Sequence, residues 1–204
     1  MKPGFKTKNY RINSLIIDSI ILKYGYLFKI LLITSMLTGN SLTIINTSKN
    51  IGKSNWLIIN DDIMGGVSNS NLSINDNKNI TFRGIISFEN NGGFASCRMM
   101  YNFNKIKDQN TFILKVRGDG KKYKIILRSN DSSVYYSVNF KTKNNVETTH
   151  KIKLNEFDAF FRGRKLNYYN HVDISDMNFV GFQISDKQEG IFSLEVIELI
   201  MLKN

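Results

Sequence analysis

From Trp56 onward the apolar side chains recur at every second position, and that period commits most of the chain to strands with one buried face. Ile80, Phe82, Ile86 and Phe88 fall on one side, with Thr81, Arg83 and Ser87 on the other. Phe112, Leu114 and Val116 alternate with Lys115 and Arg117, and Tyr123, Ile125 and Leu127 with Lys122, Lys124 and Arg128. The pattern continues through Val134, Tyr136, Val138 and Phe140, through Ile152 and Leu154, through Val180, Phe182 and Ile184, and through Phe192, Leu194 and Val196. About eight or nine strands follow, punctuated by turn-forming residues at 75–79, 90–93, 118–120, 129–133 and 144–145. Residues 155–160 are the one stretch that reads as a helical turn, with Asn155 as its cap. Strands without intervening helices predict an all-β fold, a two-sheet antiparallel β-sandwich of the jelly-roll kind, with an immunoglobulin-like sandwich as the alternative.

A chain of 204 residues that is 42% hydrophobic suffices for one sizeable core. Residues 42–204 are read as the sandwich domain and 1–41 as a leader. Cys97 is the single cysteine, so no internal disulfide can form, and with only His150 and His171 beside it no ordinary zinc site can be built. The net charge of +11 is concentrated at the N-terminus: residues 1–53 carry eight basic residues against Asp18, and the remainder carries 20 basic and 16 acidic residues. Such a balance over the body is that of a solvated surface, and no nucleic-acid partner is expected. The leader is acid-poor, with apolar blocks at 15–22 and 30–37 and polar residues from Thr38 to Ser41. That order is that of an export signal, placing the domain in the periplasm or against the membrane through this segment alone; an organellar presequence, or a cytoplasmic protein with a misplaced start, is the alternative.

No catalytic set emerges. The chain lacks a Gly-x-Ser-x-Gly elbow, and residues 118–122 lack the spacing of a phosphate-cradling loop, so Gly118-Asp119-Gly120 reads as a hairpin turn. Residues 75–79 are rich in oxygen donors but lack the glycine and distal glutamate of a calcium loop. No metal or cofactor is expected. Polar clusters flanked by glycine at strand ends are more informative. Residues 60–68 place Asp61 and Asp62 before Gly65 and Gly66, and residues 90–98 run from Asn91 through two glycines to Arg98, which projects opposite to Cys97 and Met99. Arg162 and Arg164 flank Gly163 and can grip a carboxylate or phosphate; an internal ion pair with Asp61, Asp119 or Asp186 is equally compatible. Trp56 reads as a core anchor. Tyr135, Tyr168 and Tyr169 are the aromatics available to a sugar face.

The blocks Trp56, NDDIMGGVS at 60–68, FRGIISFENNGGFASCR at 82–98, RGDGKKY at 117–123, FRGR at 161–164 and GFQISDKQEGIFSLEVIEL at 181–199 occur in this order. In them the chain resembles the NADH:ubiquinone oxidoreductase complex I intermediate-associated protein 30 family. The resemblance implies a galactose-binding-like sandwich and a non-enzymatic role as an assembly factor or chaperone of respiratory complex I. Its partner would be a protein, for instance a membrane-complex subunit or assembly intermediate. The positions it carries over as binding residues are Asp61, Asn91, Arg98, Asp119, Arg162, Arg164 and Asp186. The chain departs from the family pattern at Thr148-Thr149-His150, where a tryptophan is usual, and at Leu154-Asn155, where Leu-Pro is usual. An exported carbohydrate-binding module with a glycan ligand is the alternative function.

Overall fold

The computed structural model describes residues 41–203 apart from 105, 107, 131, 169 and 170. The expected leader, save its last residue, and Tyr169 lie outside the described residues. The strands are β1 (Ser41–Asn46), β2 (Trp56–Asn60), β3 (Asn69–Ile74), β4 (Ile80–Ile86), β5 (Ala95–Met100), β6 (Thr111–Gly118), β7 (Lys122–Arg128), β8 (Val134–Lys141), β9 (Glu147–Lys153), β10 (Asp158–Phe161), β11 (Arg164–Lys165), β12 (Phe179–Ile184) and β13 (Gly190–Leu202). They form two antiparallel sheets. The first runs β3-β4-β13-β6-β9, with β1 also paired to β13, and the second runs β11-β10-β8-β7-β12-β5-β2. The fold is the all-β sandwich that the alternation predicts.

The alternating apolar residues meet between the sheets. Phe82, Leu114, Val116, Phe192 and Leu194 of the first sheet, and Cys97, Tyr123, Ile125, Val180 and Phe182 of the second, are all fully buried. Phe192 packs on Phe82 within the first sheet at 4.9 Å and reaches Tyr123 of the second at 6.5 Å between centroids, and each ring contributes about 1.5–3 kcal/mol by leaving water. A bulge between Val196 and Glu198 shifts the period of β13, so that Leu199 and Met201 take over the buried face from Val196.

Several expectations need correction. Residues 155–160 are not a helical turn capped by Asn155: a 3-10 turn covers Leu154–Glu156, and Asp158–Phe161 is a strand paired with β8. Phe157 and Ala159 are buried there while Asp158 faces out, a period of two masked by the neighbouring Phe160 and Phe161. Gly118-Asp119-Gly120 is no hairpin, because β6 and β7 belong to different sheets and the turn crosses between them. Phe88 lies beyond β4 and is exposed. Trp56 is only half-buried: its ring stacks on Phe182 at 6.2 Å and its indole N–H donates to the Gly52 carbonyl at 2.9 Å.

Candidate functional site

The two glycine-bearing loops at 60–68 and 87–94 are fastened together by the Asp61 carboxylate and by Ser68, whose Oγ accepts the Ser87 N–H at 3.1 Å. Asp61 is 0% exposed. One carboxylate oxygen accepts the Ser68 N–H at 3.0 Å; the other accepts the Ser68 hydroxyl at 2.5 Å, the Gly93 N–H at 2.6 Å and the Phe94 N–H at 3.2 Å. Burial pushes the Asp61 pKa up, and these hydrogen bonds, led by the Ser68 hydroxyl, outweigh it and hold the carboxyl below its ordinary value. The glycines serve this packing: a Cβ at Gly66 would overlap the Asp61 carboxylate, and one at Gly92 would stand 2.7 Å from its Oδ2. Fixed in this way, the first loop holds Ile63 78% and Met64 66% exposed, with Val67 and Phe88 also in solvent.

The other expected binding residues separate into three groups. Asn91 and Asp186 line one cleft with Phe88, Gly92, Gly93 and Lys187, and Asp186 bridges to Lys124 Nζ at 2.7 Å. Arg98 lies on the outward face of the second sheet, where the Tyr135 phenol feels both its charge and that of Asp186. Asp119 sits in the crossover turn, where it accepts from the Tyr123 hydroxyl at 3.0 Å, the Ser193 N–H at 2.9 Å and the Lys121 N–H at 3.0 Å. Arg162 and Arg164 belong to the exposed β10–β11 hairpin at the sheet edge, where the Arg162 guanidinium lies 5.4 Å from the Phe161 ring centroid. Among the described residues they pair with none of Asp61, Asp119 or Asp186, so the internal Arg/Asp network allowed by the sequence does not form. Cys97 is in the core, where burial pushes its thiol pKa up and keeps it protonated.

Sequence reasoning missed Arg128 and Phe160. Both lie on the same outward face as Arg98: Phe179 pairs with Arg128, Arg128 with Tyr135, and Tyr135 with Phe160, whose ring stacks on Tyr135 at 5.6 Å. Lys124 Nζ stands 5.8 Å from the Phe160 centroid. Tyr135, expected as a sugar platform, is therefore engaged by a neighbour, while Tyr168 is fully exposed. The polar parity of Arg128 was readable; its place beside Arg98 depends on strand order, which was not.

With its two antiparallel sheets, clamped loop end and charged outer face, the molecule is a β-sandwich protein of the jelly-roll class. Solved structures of that class resemble it. The family 11 carbohydrate-binding module of the Clostridium thermocellum cellulase Lic26A-Cel5E superposes with a TM-score of 0.59 at 7% identity, over 79% of this chain and 94% of that one. The same family's module from Clostridium thermocellum in complex with a β-1,3-1,4-mixed-linked tetrasaccharide gives 0.57 at 7% identity, over 80% and 95%. The agarase AgWH50C gives 0.54 at 10% identity, over 81% of this chain and 25% of that one. At these identities the likeness concerns the fold alone. The chain belongs to the Complex I intermediate-associated protein 30 family, which it matches over residues 45–196. A comparison with curated proteins finds no match.

Proposed function

We propose that this protein is a non-enzymatic binding protein that grips a protein partner during the assembly of a respiratory complex I. Family membership supports the process. The observation that carries the binding role is the Asp61 clamp, which consumes a buried carboxylate to hold Ile63, Met64 and Val67 out in water. Apolar side chains held exposed on a fixed loop gain by covering them with a partner. An Ile63→Asp/Met64→Asp protein should keep its stability within about 0.5 kcal/mol, since neither side chain packs in the core. It should lose the complex I subunits that the wild-type protein captures from native membranes, read by mass spectrometry. Equal enrichment by both proteins, or none by either, removes this reading.

A second reading, glycan binding, draws on the tetrasaccharide-bound module of like fold and on the exposed Tyr168. A glycan array with no signal at high micromolar protein counts against it.

A further inference from the structure

On the outward face of the first sheet Lys115 meets Glu147 at 3.5 Å, and Arg117 meets Glu195 at 3.1 Å and Glu147 at 3.8 Å. The second sheet turns Arg98, Lys122, Lys124, Arg128, Lys141 and Lys165 outward, with Lys122 directly opposite Lys141. Two of these six are matched, Lys124 by Asp186 and Lys165 by Asp158. Among the described residues neither Arg98 nor Arg128 meets a carboxylate, and the Nε of Arg98 is buried with no hydrogen-bond partner. Arg98 as a whole is half-buried, and an oxyanion meeting the accessible part of its guanidinium supplies the charged partner that no protein carboxylate provides. The two arginines stand on the strands either side of β12, Arg98 opposite Gly181 and Arg128 opposite Phe179 two residues along. Burial, and next the charge of Arg128, hold Arg98 below the ordinary arginine pKa.

The border of this pair identifies the ligand. Leu57 lies directly opposite Arg98 and is exposed, and exposed Met100 lies opposite Phe179, the neighbour of Arg128. On the far side stand the Tyr135 and Phe160 rings, already stacked on each other. A neutral sugar packs on a ring face and gains nothing from a pair of unmatched guanidiniums. Carboxylates spaced among apolar residues match both the guanidiniums and the Leu57–Met100 border. From Leu57, β2 leads directly into the loop bearing Ile63 and Met64.

We infer that the outward face of the second sheet receives an acidic segment of a protein partner, with a carboxylate held between Arg98 and Arg128 and apolar neighbours of that carboxylate resting on Leu57 and Met100. The inference rests on the partner being a protein, as proposed above.

The test titrates the full-length chain with a capped dodecapeptide containing Glu interspersed with Leu, with its Gln counterpart, and with a galacturonate hexasaccharide. Affinity is read by calorimetry and the contact by the arginine Hε–Nε signals in NMR. The Glu peptide should bind, shift the Arg98 and Arg128 signals, and weaken at high salt. Arg98→Gln and Arg128→Gln should each lower its affinity at least about tenfold, and Arg83→Gln, on the exposed surface of the other sheet, should leave it unchanged. If Arg98→Gln fails to fold, the Arg128→Gln protein and the wild-type signals carry the result. Equal binding of the Gln peptide, or equal loss in Arg83→Gln, overturns the inference, as does silence at both arginine signals. Tighter binding of the hexagalacturonate would assign the face to an acidic glycan and overturn it as well. Failure here with complex I subunits still captured from membranes removes only the site; success here without that capture removes only the assembly role.

Discussion

Asp61→Ala should cost about 3–5 kcal/mol of folding stability, because the carboxylate is the main acceptor joining two loops and its removal strands buried donors on both. The Ser68, Gly93 and Phe94 N–H groups and the Ser68 hydroxyl all converge on it. Asp61→Asn keeps the shape but turns an NH2 group toward an N–H donor, and about 2–3 kcal/mol should still be lost. Acid should act in the same direction. The folded carboxyl titrates below the ordinary 3.8, so its contribution is complete above that value and vanishes as pH falls through the lower folded value. Urea unfolding between pH 7 and pH 2 measures both effects. The fall in stability below about pH 4 should be shallower in Asp61→Asn than in wild type. A variant within about 1 kcal/mol of wild type at pH 7 would show that the clamp does not bear the loops. Partner capture should fall along with stability in Asp61→Ala, in contrast to the Ile63→Asp/Met64→Asp protein, which loses capture alone.

The alternation of apolar residues made the sandwich legible because a strand with one buried face repeats every two residues wherever it lies in the sheet. It failed where tertiary packing interrupts the period. The bulge in β13 moves burial from Val196 to Leu199, and β10 hides its alternation behind Phe160 and Phe161. β3, of sequence NSNLSI, is too polar to read as a strand and owes its place to pairing with β4. For the site, the motif blocks located residues without their roles. Asp61 and Asp119 read in sequence as loop carboxylates for a ligand or an ion pair, yet one is fully buried on backbone donors and the other is bonded into a turn, since turn residues reveal nothing of what packs over them. Arg98 and Arg128 are 30 positions apart in sequence and become neighbours only because β12 separates β5 from β7 in the sheet order. Local pattern sets which side of a strand a side chain takes; pairing order sets its company.

Asp119 shows how much that distinction is worth in energy. Its turn joins β6 of the first sheet to β7 of the second; one carboxylate oxygen accepts from the Tyr123 hydroxyl in the second sheet and from the Ser193 N–H of β13 in the first. Tyr123 is fully buried, and burial first, then the Asp119 charge and hydrogen bond, push its phenol pKa up, so it stays a donor throughout the working range of pH. Asp119→Ala should therefore cost about 2–4 kcal/mol, by leaving the phenol and an N–H without an acceptor. Tyr123→Phe should cost about 1–2 kcal/mol, since it removes donor and bond together and keeps the ring against Phe140 and Phe192. In the double variant the costs should fall short of additivity by about 1–2 kcal/mol, because the phenol that Asp119→Ala strands is no longer there. A hairpin turn lying within one sheet, as the sequence suggests for residues 118–120, has no such coupling across the core. Additive losses in denaturant unfolding would mean that the carboxylate does not join the sheets through Tyr123. A shortfall with unchanged far-ultraviolet circular dichroism would establish it as a tie between the layers rather than a ligand contact.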